Sequence, residues 1–201
     1  MEVVIVGSIG YDDIETSVDS GSDLLGGSAV HAGLSSSFHL PIIPEKPARV
    51  GIIGPVGRDF KNRDKKLLET RGIDISNIMN LDGKTFRWSG KYGGDMEDVE
   101  TISTELNVLG DFNPIIPDEW DSPNIVFCAN THPLIQISVF EQCQNAGISA
   151  IDTFKLWIES EFEYLSQAMR MADIAILNEE EACEIARTDM IIHAIEPILS
   201  G

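Results

Sequence analysis

Gly26-Gly27-Ser28-Ala29-Val30-His31-Ala32-Gly33 is the stretch on which the reading of this chain turns. Two adjacent glycines follow the apolar pair Leu24-Leu25. Glycine carries no Cβ, so the backbone can bend sharply here and a ligand can approach its amides closely. Ser28 stands where a helix N-cap is expected, and Ala29, Val30, Ala32 and Leu34 suit a buried helix running to about Phe38. A helix N-terminus behind a diglycine offers unpaired N–H donors and a partial positive charge. It suits the hydroxyls of a small polar ligand, or an anion. A tight turn feeding a core helix accounts for the same residues.

Upstream, Val3-Val4-Ile5-Val6 is a continuous β-branched run, the pattern of a strand buried on both faces of a parallel sheet. Gly7-Ser8-Ile9-Gly10 ends it, without a GxGxxG fingerprint or a following helix pattern. Tyr11-Asp12-Asp13-Ile14-Glu15-Thr16 continues as extended, alternating chain. In open α/β sheets ligands bind beyond the carboxyl ends of strands. Asp12 lies just past such an end, and the two oxygens of a carboxylate suit two neighbouring hydroxyls. Asp13 points to the opposite face if the chain stays extended. A solvated loop acid is the plainer alternative for either.

Downstream, Pro41, Pro44 and Pro47 break the helix pattern, and Val50-Gly51-Ile52-Ile53 reads as a second buried strand. Pro55 to Phe60 turns into a helix carrying Lys65 to Glu69, which Gly72 caps. Thr85 to Tyr92 and Thr101 to Leu106 alternate in character around Gly93-Gly94-Asp95, the signature of a hairpin outside the parallel core. With the polar stretch Glu15 to Asp23 it makes a small β appendage over the diglycine, or an ordinary edge hairpin. Strands at Asn124–Ala129, Ile148–Thr153 and Ala172–Leu177 then alternate with helices at Ile135–Asn145 and Glu161–Met171. Such alternation predicts a doubly wound, mainly parallel α/β sheet.

The 201 residues suffice for one α/β domain with a sizeable core. Lys and Arg number 14 against 33 Asp and Glu, a formal charge of −19 that repels nucleic acid and anionic membrane. Cys128, Cys143 and Cys183 show no disulfide framework or zinc spacing, and read as reduced thiols in a cytoplasmic protein. Met1-Glu2-Val3 enters a strand at once, unlike a signal peptide, and no apolar run approaches the length of a membrane span.

Asn178-Glu179-Glu180-Glu181 opens a further helix after the last strand. Asn178 suits an N-cap and Glu181 its N3 position, as in a capping box. An amide and a carboxylate at a strand's carboxyl end also suit a hydrated magnesium ion, which prefers oxygen ligands and keeps several waters. The order of the diglycine helix, Val56-Gly57-Arg58-Asp59, Gly72-Ile73-Asp74 and Ala172-Asp173-Ile174 with Asn178 to Ala182 resembles the PfkB/ribokinase family of carbohydrate kinases. Asp152-Thr153-Phe154-Lys155-Leu156-Trp157-Ile158-Glu159 is similar to its sugar-kinase branch. The resemblance spans nearly the whole chain.

The resemblance implies a ribokinase-like fold with a β lid, built here from segments of about 11–25 and 80–108. It implies an enzyme that passes the γ-phosphate of ATP, with Mg2+, to a hydroxymethyl group of a sugar or nucleoside. Asp12, Gly26 and Gly27 match residues that bind the acceptor's hydroxyls, and Asn178 and Glu181 match the NxxE motif tied to magnesium and phosphate. The lid allows a homodimer through it. His31 stands where many members carry a substrate-binding Asn, and Lys61 replaces a common Gly, a change expected to be tolerated on the surface. Family members continue into a GAGD motif, whose amides and Asp serve the transferred phosphoryl group and the acceptor proton. The sequence ends at Ser200-Gly201 without one, so residues 1–201 resemble an incomplete kinase domain lacking the C-terminal part of the fold, inactive by itself. The alternatives are a non-catalytic sugar- or nucleoside-binding or interaction protein derived from such a kinase, and an unrelated nucleotide-binding α/β domain.

Overall fold

Strand β1 (Val3–Val6) is buried at every position, as its unbroken β-branched run requires. β2 (Gly10–Glu15) and β3 (Ser20–Gly26) precede helix α1 (Ser28–His39). β4 (Val50–Ile53), β5 (Pro55–Val56), α2 (Asn62–Thr70), β6 (Ile73–Asp74) and β7 (Met79–Asn80) come next, then the hairpin β8 (Phe86–Tyr92) and β9 (Val99–Glu105). The rest is β10 (Ile125–Cys128), α3 (Pro133–Gln142), β11 (Ile148–Asp152), α4 (Lys155–Ser160), α5 (Phe162–Met171), β12 (Ile174–Ile176), α6 (Glu179–Ala186) and α7 (Ile191–Ser200). This computed structural model describes residues 1–40, 42–43, 46–94 and 99–200. Pro41 and Pro44, expected to break a helix, and Asp95 of the expected hairpin loop lie outside the described residues.

The chain divides into two compact units, one of Gly7–Pro114 and one of Met1–Val6 with Ile115–Gly201. In the first, β4 pairs in parallel with β6, and α1 packs on β4 through Gly33, where an added Cβ would stand 3.0 Å from Ile52. Ile52, Ile53, Val56 and Leu68 are fully buried here. α2 ends at Gly72, whose φ of +78° is a conformation that costs glycine little. A separate four-stranded sheet runs β3-β2-β8-β9. Its two hairpins, β2–β3 and β8–β9, are antiparallel, and β2 joins β8 in parallel. The expected β appendage therefore forms, with both polar segments in one sheet.

The second unit carries the parallel order β12-β11-β10-β1. α5 buries Leu165 and Ala168, three residues apart on one face of the helix. α3 covers Pro133–Gln142, two residues ahead of the expected start, because Pro133 serves as a first helical residue. Its Gln136 is fully buried and donates through Nε2 to the carbonyls of Ala129 (3.2 Å) and Asp152 (2.8 Å), at the ends of β10 and β11. All three residues of β12 are exposed, Ile174 by 48% and Ile176 by 52%. Among the described strands of this unit it pairs with β11 alone, so its outer edge has no neighbouring strand there. Cys128 and Cys143 are buried and Cys183 half-buried, all as free thiols. No described helix is long and apolar enough to cross a membrane.

Candidate functional site

β2 places Asp12 between Leu24 of β3 and Trp88 of β8. Its half-buried carboxylate accepts no hydrogen bond among the described residues. Burial raises the Asp12 pKa above the ordinary carboxylate range, a rise that neighbouring His31 opposes and Asp13 reinforces. A desolvated carboxylate without donors is costly unless a ligand supplies them. The diglycine explains how it is seated. A Cβ on Gly26 would collide with the Asp12 carboxylate, and one on Gly27 would stand 2.5 Å from the Ser8 carbonyl oxygen. Gly27 also holds φ at +97°, so no other L-residue fits both the conformation and the space.

Gly27, not Ser28, is the N-cap of α1, and it offers no side-chain cap. Ser8 takes that role from outside the helix. Its Oγ accepts the Ser28 N–H at 3.0 Å and lies 3.0 Å from the Ser28 hydroxyl, while its carbonyl accepts the Ala29 N–H at 3.0 Å. The expected open row of donors at this helix end is thus already engaged at its first two amides. An anion finds less here than the sequence alone suggests, whereas the Asp12 and exposed His31 side chains make no hydrogen bond among the described residues.

Asp13 engages a different set of groups. Its carboxylate accepts the Asp23 N–H at 2.8 Å, where β3 slips register against β2 and Asp23 takes a φ of +55°. Asp23 in turn receives Lys61 Nζ at 2.8 Å and the Arg87 guanidinium at 2.7 Å, which hold its carboxyl below the ordinary range. Both cations also cover the ring of Tyr11, at 4.7 and 5.5 Å from its centroid. The Tyr11 hydroxyl donates to Asp64 at 2.8 Å and accepts the Lys61 N–H at 2.9 Å, and burial pushes its phenol pKa up. Lys61 is thus more than a surface residue: its ammonium ties the start of α2 to Asp23 of β3, and its N–H ties it to Tyr11 of β2.

A second cluster stands at the carboxyl ends of β10, β11 and β12. Asn178 caps α6: its side chain accepts the Glu181 N–H at 2.8 Å, and Glu181 accepts the Asn178 N–H at 3.1 Å. The capping box expected from the sequence is complete. Burial raises the Glu181 carboxyl, its bond from the Asn178 N–H opposes this, and Glu180 and Glu184 add to the rise. Asp152, at the end of β11, is pushed up to about 6, first by burial and then by the Glu181 charge, against the N–H groups of Thr153 and Asn130. Sequence reasoning passed over Asp152 as a site residue, although a carboxylate ending a buried strand is the available signal. Nearby in the chain, the Trp157 indole donates to Asn130 Oδ1 at 2.8 Å. The hydroxyls of Thr131 and Thr153 and the Gln136 side-chain oxygen are buried with no hydrogen-bond partner among the described residues.

No protein-family model matches this chain, and no curated protein matches it in sequence. Solved structures do. The nucleoside kinase of Methanocaldococcus jannaschii, described as an archaeal member of the ribokinase family, matches at TM-score 0.70 and 16% identity, over 99% of this chain and 67% of that one. Ribokinase from Giardia lamblia matches at 0.73 and 16%, over 99% and 65%. Adenosine kinase from Anopheles gambiae, solved in complex with P1,P4-di(adenosine-5) tetraphosphate, matches at 0.76 and 14%, over 98% and 71%. The chain spans about two thirds of the length of these neighbours, and its fold is that of the ribokinase family's sugar and nucleoside kinases.

Proposed function

We propose that this ribokinase-like chain binds a small polyhydroxylated acceptor, a sugar or nucleoside, as the acceptor side of a kinase that phosphorylates a hydroxymethyl group from ATP. One observation carries the reading: Asp12 is a desolvated carboxylate with no donor, seated over Gly26 and next to His31. Two adjacent hydroxyls of an acceptor supply the missing donors, each as a charge-assisted hydrogen bond. His31 faces the same carboxylate and adds one further polar contact. Gly26 and Gly27 act by letting Asp12 and Ser8 take their places. The sheet β3-β2-β8-β9 is the lid in this reading, and a homodimer through that lid goes with it.

Asn178, Glu181 and Asp152 serve the phosphate side. The described residues hold no cluster of three or more His, Cys, Asp or Glu ligands that could cage a metal. The Glu181 charge raises the cost of ionising Asp152, and such a pair of hard oxygen donors fits a largely hydrated Mg2+. When bound, the ion neutralises charge on phosphate oxygens. Asn178 holds Glu181 in place through the reciprocal cap.

Asp12 serves acceptor binding equally well without phosphoryl transfer, so a non-catalytic sugar- or nucleoside-binding protein is the second reading. Titration calorimetry with neutral pentoses, hexoses and nucleosides tests the shared part, and heat from none of them refutes it. Release of ADP from ATP in the presence of a bound acceptor separates the two.

A further inference from the structure

Resting on the acceptor reading, the geometry points to an uncharged acceptor: this site takes a neutral sugar or nucleoside and rejects sugar phosphates and sugar acids. The argument is one of which charges are free. On strands β2, β3, β8 and β9 and helix α1, the basic residues are Arg87, Lys91, His31 and His39. Arg87 is bound to Asp23 at 2.7 Å and Lys91 to Glu15 at 2.6 Å. Lys61, at the start of α2, is bound to the same Asp23 at 2.8 Å. His39 ends α1, with its ring 5.3 Å from that of Phe38. His31 alone remains, and it already faces the Asp12 carboxylate.

The backbone offers an anion little more. Ser8 engages the Ser28 and Ala29 amides, the donors that a phosphate or carboxylate would seek at a helix N-terminus. Asp12, half-buried against Gly26, is weakly screened from a charge brought near it. Asp13, adjacent in β2, adds a second negative charge. A formal charge of −19 over the chain deepens the repulsion. The carboxylate that makes the site good for hydroxyl donors, Asp12, thus makes it poor for anions, and the charge of Asp13 adds to that. Discrimination arises from repulsion built into the hydroxyl-binding residue itself.

Matched pairs test this, each keeping a free hydroxymethyl group: fructose against fructose 6-phosphate, and glucose against gluconate, with inosine and adenosine as further neutral ligands. Affinities are measured by calorimetry on the whole chain, wild type and Asp12→Asn, at low and at high salt. The expected result is neutral binding, with each anion at least ~30-fold weaker than its parent at low salt. The gap narrows at least several-fold in high salt and in Asp12→Asn. An anion that binds as tightly as its neutral parent overturns the inference and leaves the acceptor reading standing. So does a gap that Asp12→Asn leaves untouched, since the repulsion then has another source. Binding of no compound in either class overturns the acceptor reading, and this inference with it.

Discussion

Replacing Asp152 by Asn stabilises the protein at neutral pH, and by an amount that the structure sets. In the folded chain the Asp152 carboxyl is pushed from its ordinary value of 3.8 to about 6. A folded-state pKa above the unfolded one means that the folded state holds the proton more tightly. Stability is then unaffected by this group below about pH 4, falls as pH rises from about 4 to 6, and carries the full penalty above that. A rise of this size corresponds to roughly 3 kcal/mol at pH 7.5. Asn keeps an oxygen for the Thr153 and Asn130 amides and removes the charge facing Glu181, so most of that penalty is relieved. For a chain of this size that is a gain of roughly 5–10 °C in Tm. Urea or thermal denaturation of wild type and Asp152→Asn at pH 4 and 7.5 measures it. The difference between the proteins should be small at pH 4 and full at pH 7.5. An equal effect at both values, or a loss of stability at pH 7.5, refutes the reasoning.

Other expectations concern both candidate sites. Asp12→Ala removes charge-assisted bonds to acceptor hydroxyls worth about 1.5–3 kcal/mol each, so calorimetric affinity should drop at least tenfold, while the ligand-free Tm should hold or rise because a half-buried charge without donors is gone. Asp13→Ala should do the reverse, costing about 1 kcal/mol of stability in urea through the lost bond to the Asp23 amide while acceptor affinity holds. Gly27→Ala forces a Cβ onto the Ser8 backbone at a φ of +97° and should cost at least ~2 kcal/mol; an unchanged urea midpoint would rule out that geometry. Millimolar Mg2+ should raise the Tm of wild type more than that of Glu181→Gln, and equal responses would remove Glu181 from the metal side.

Much of this arrangement was legible in the sequence, for identifiable reasons. Runs of β-branched and apolar residues without alternation announced β1 and β4, because a strand buried on both faces needs none. The capping box was legible because its partners lie three residues apart and satisfy each other locally. What failed depended on distant residues. Ser28 had the chemistry of an N-cap, but Ser8, twenty residues upstream, supplies the oxygen, and Gly27 is left free to turn. The Lys61–Asp23 ion pair spans 38 residues and leaves no periodic trace. Asp152 and Glu181 meet because neighbouring parallel strands align their ends, a product of sheet order that no local pattern encodes.

The bridge that Asp23 makes between Lys61 and Arg87 has an evolutionary corollary. One acid serves two bases, and both bases lie on one aromatic ring. Losing the acid leaves two like charges crowded over Tyr11, while losing one base still leaves the acid paired. The three positions therefore cannot drift independently. A lineage can give up Lys61 for the small residue common in its relatives at little cost, but it can give up Asp23 only after both bases have gone. The order in which such changes are permitted runs one way, and related sequences carrying Lys61 and Arg87 without an acid at position 23 should be rare.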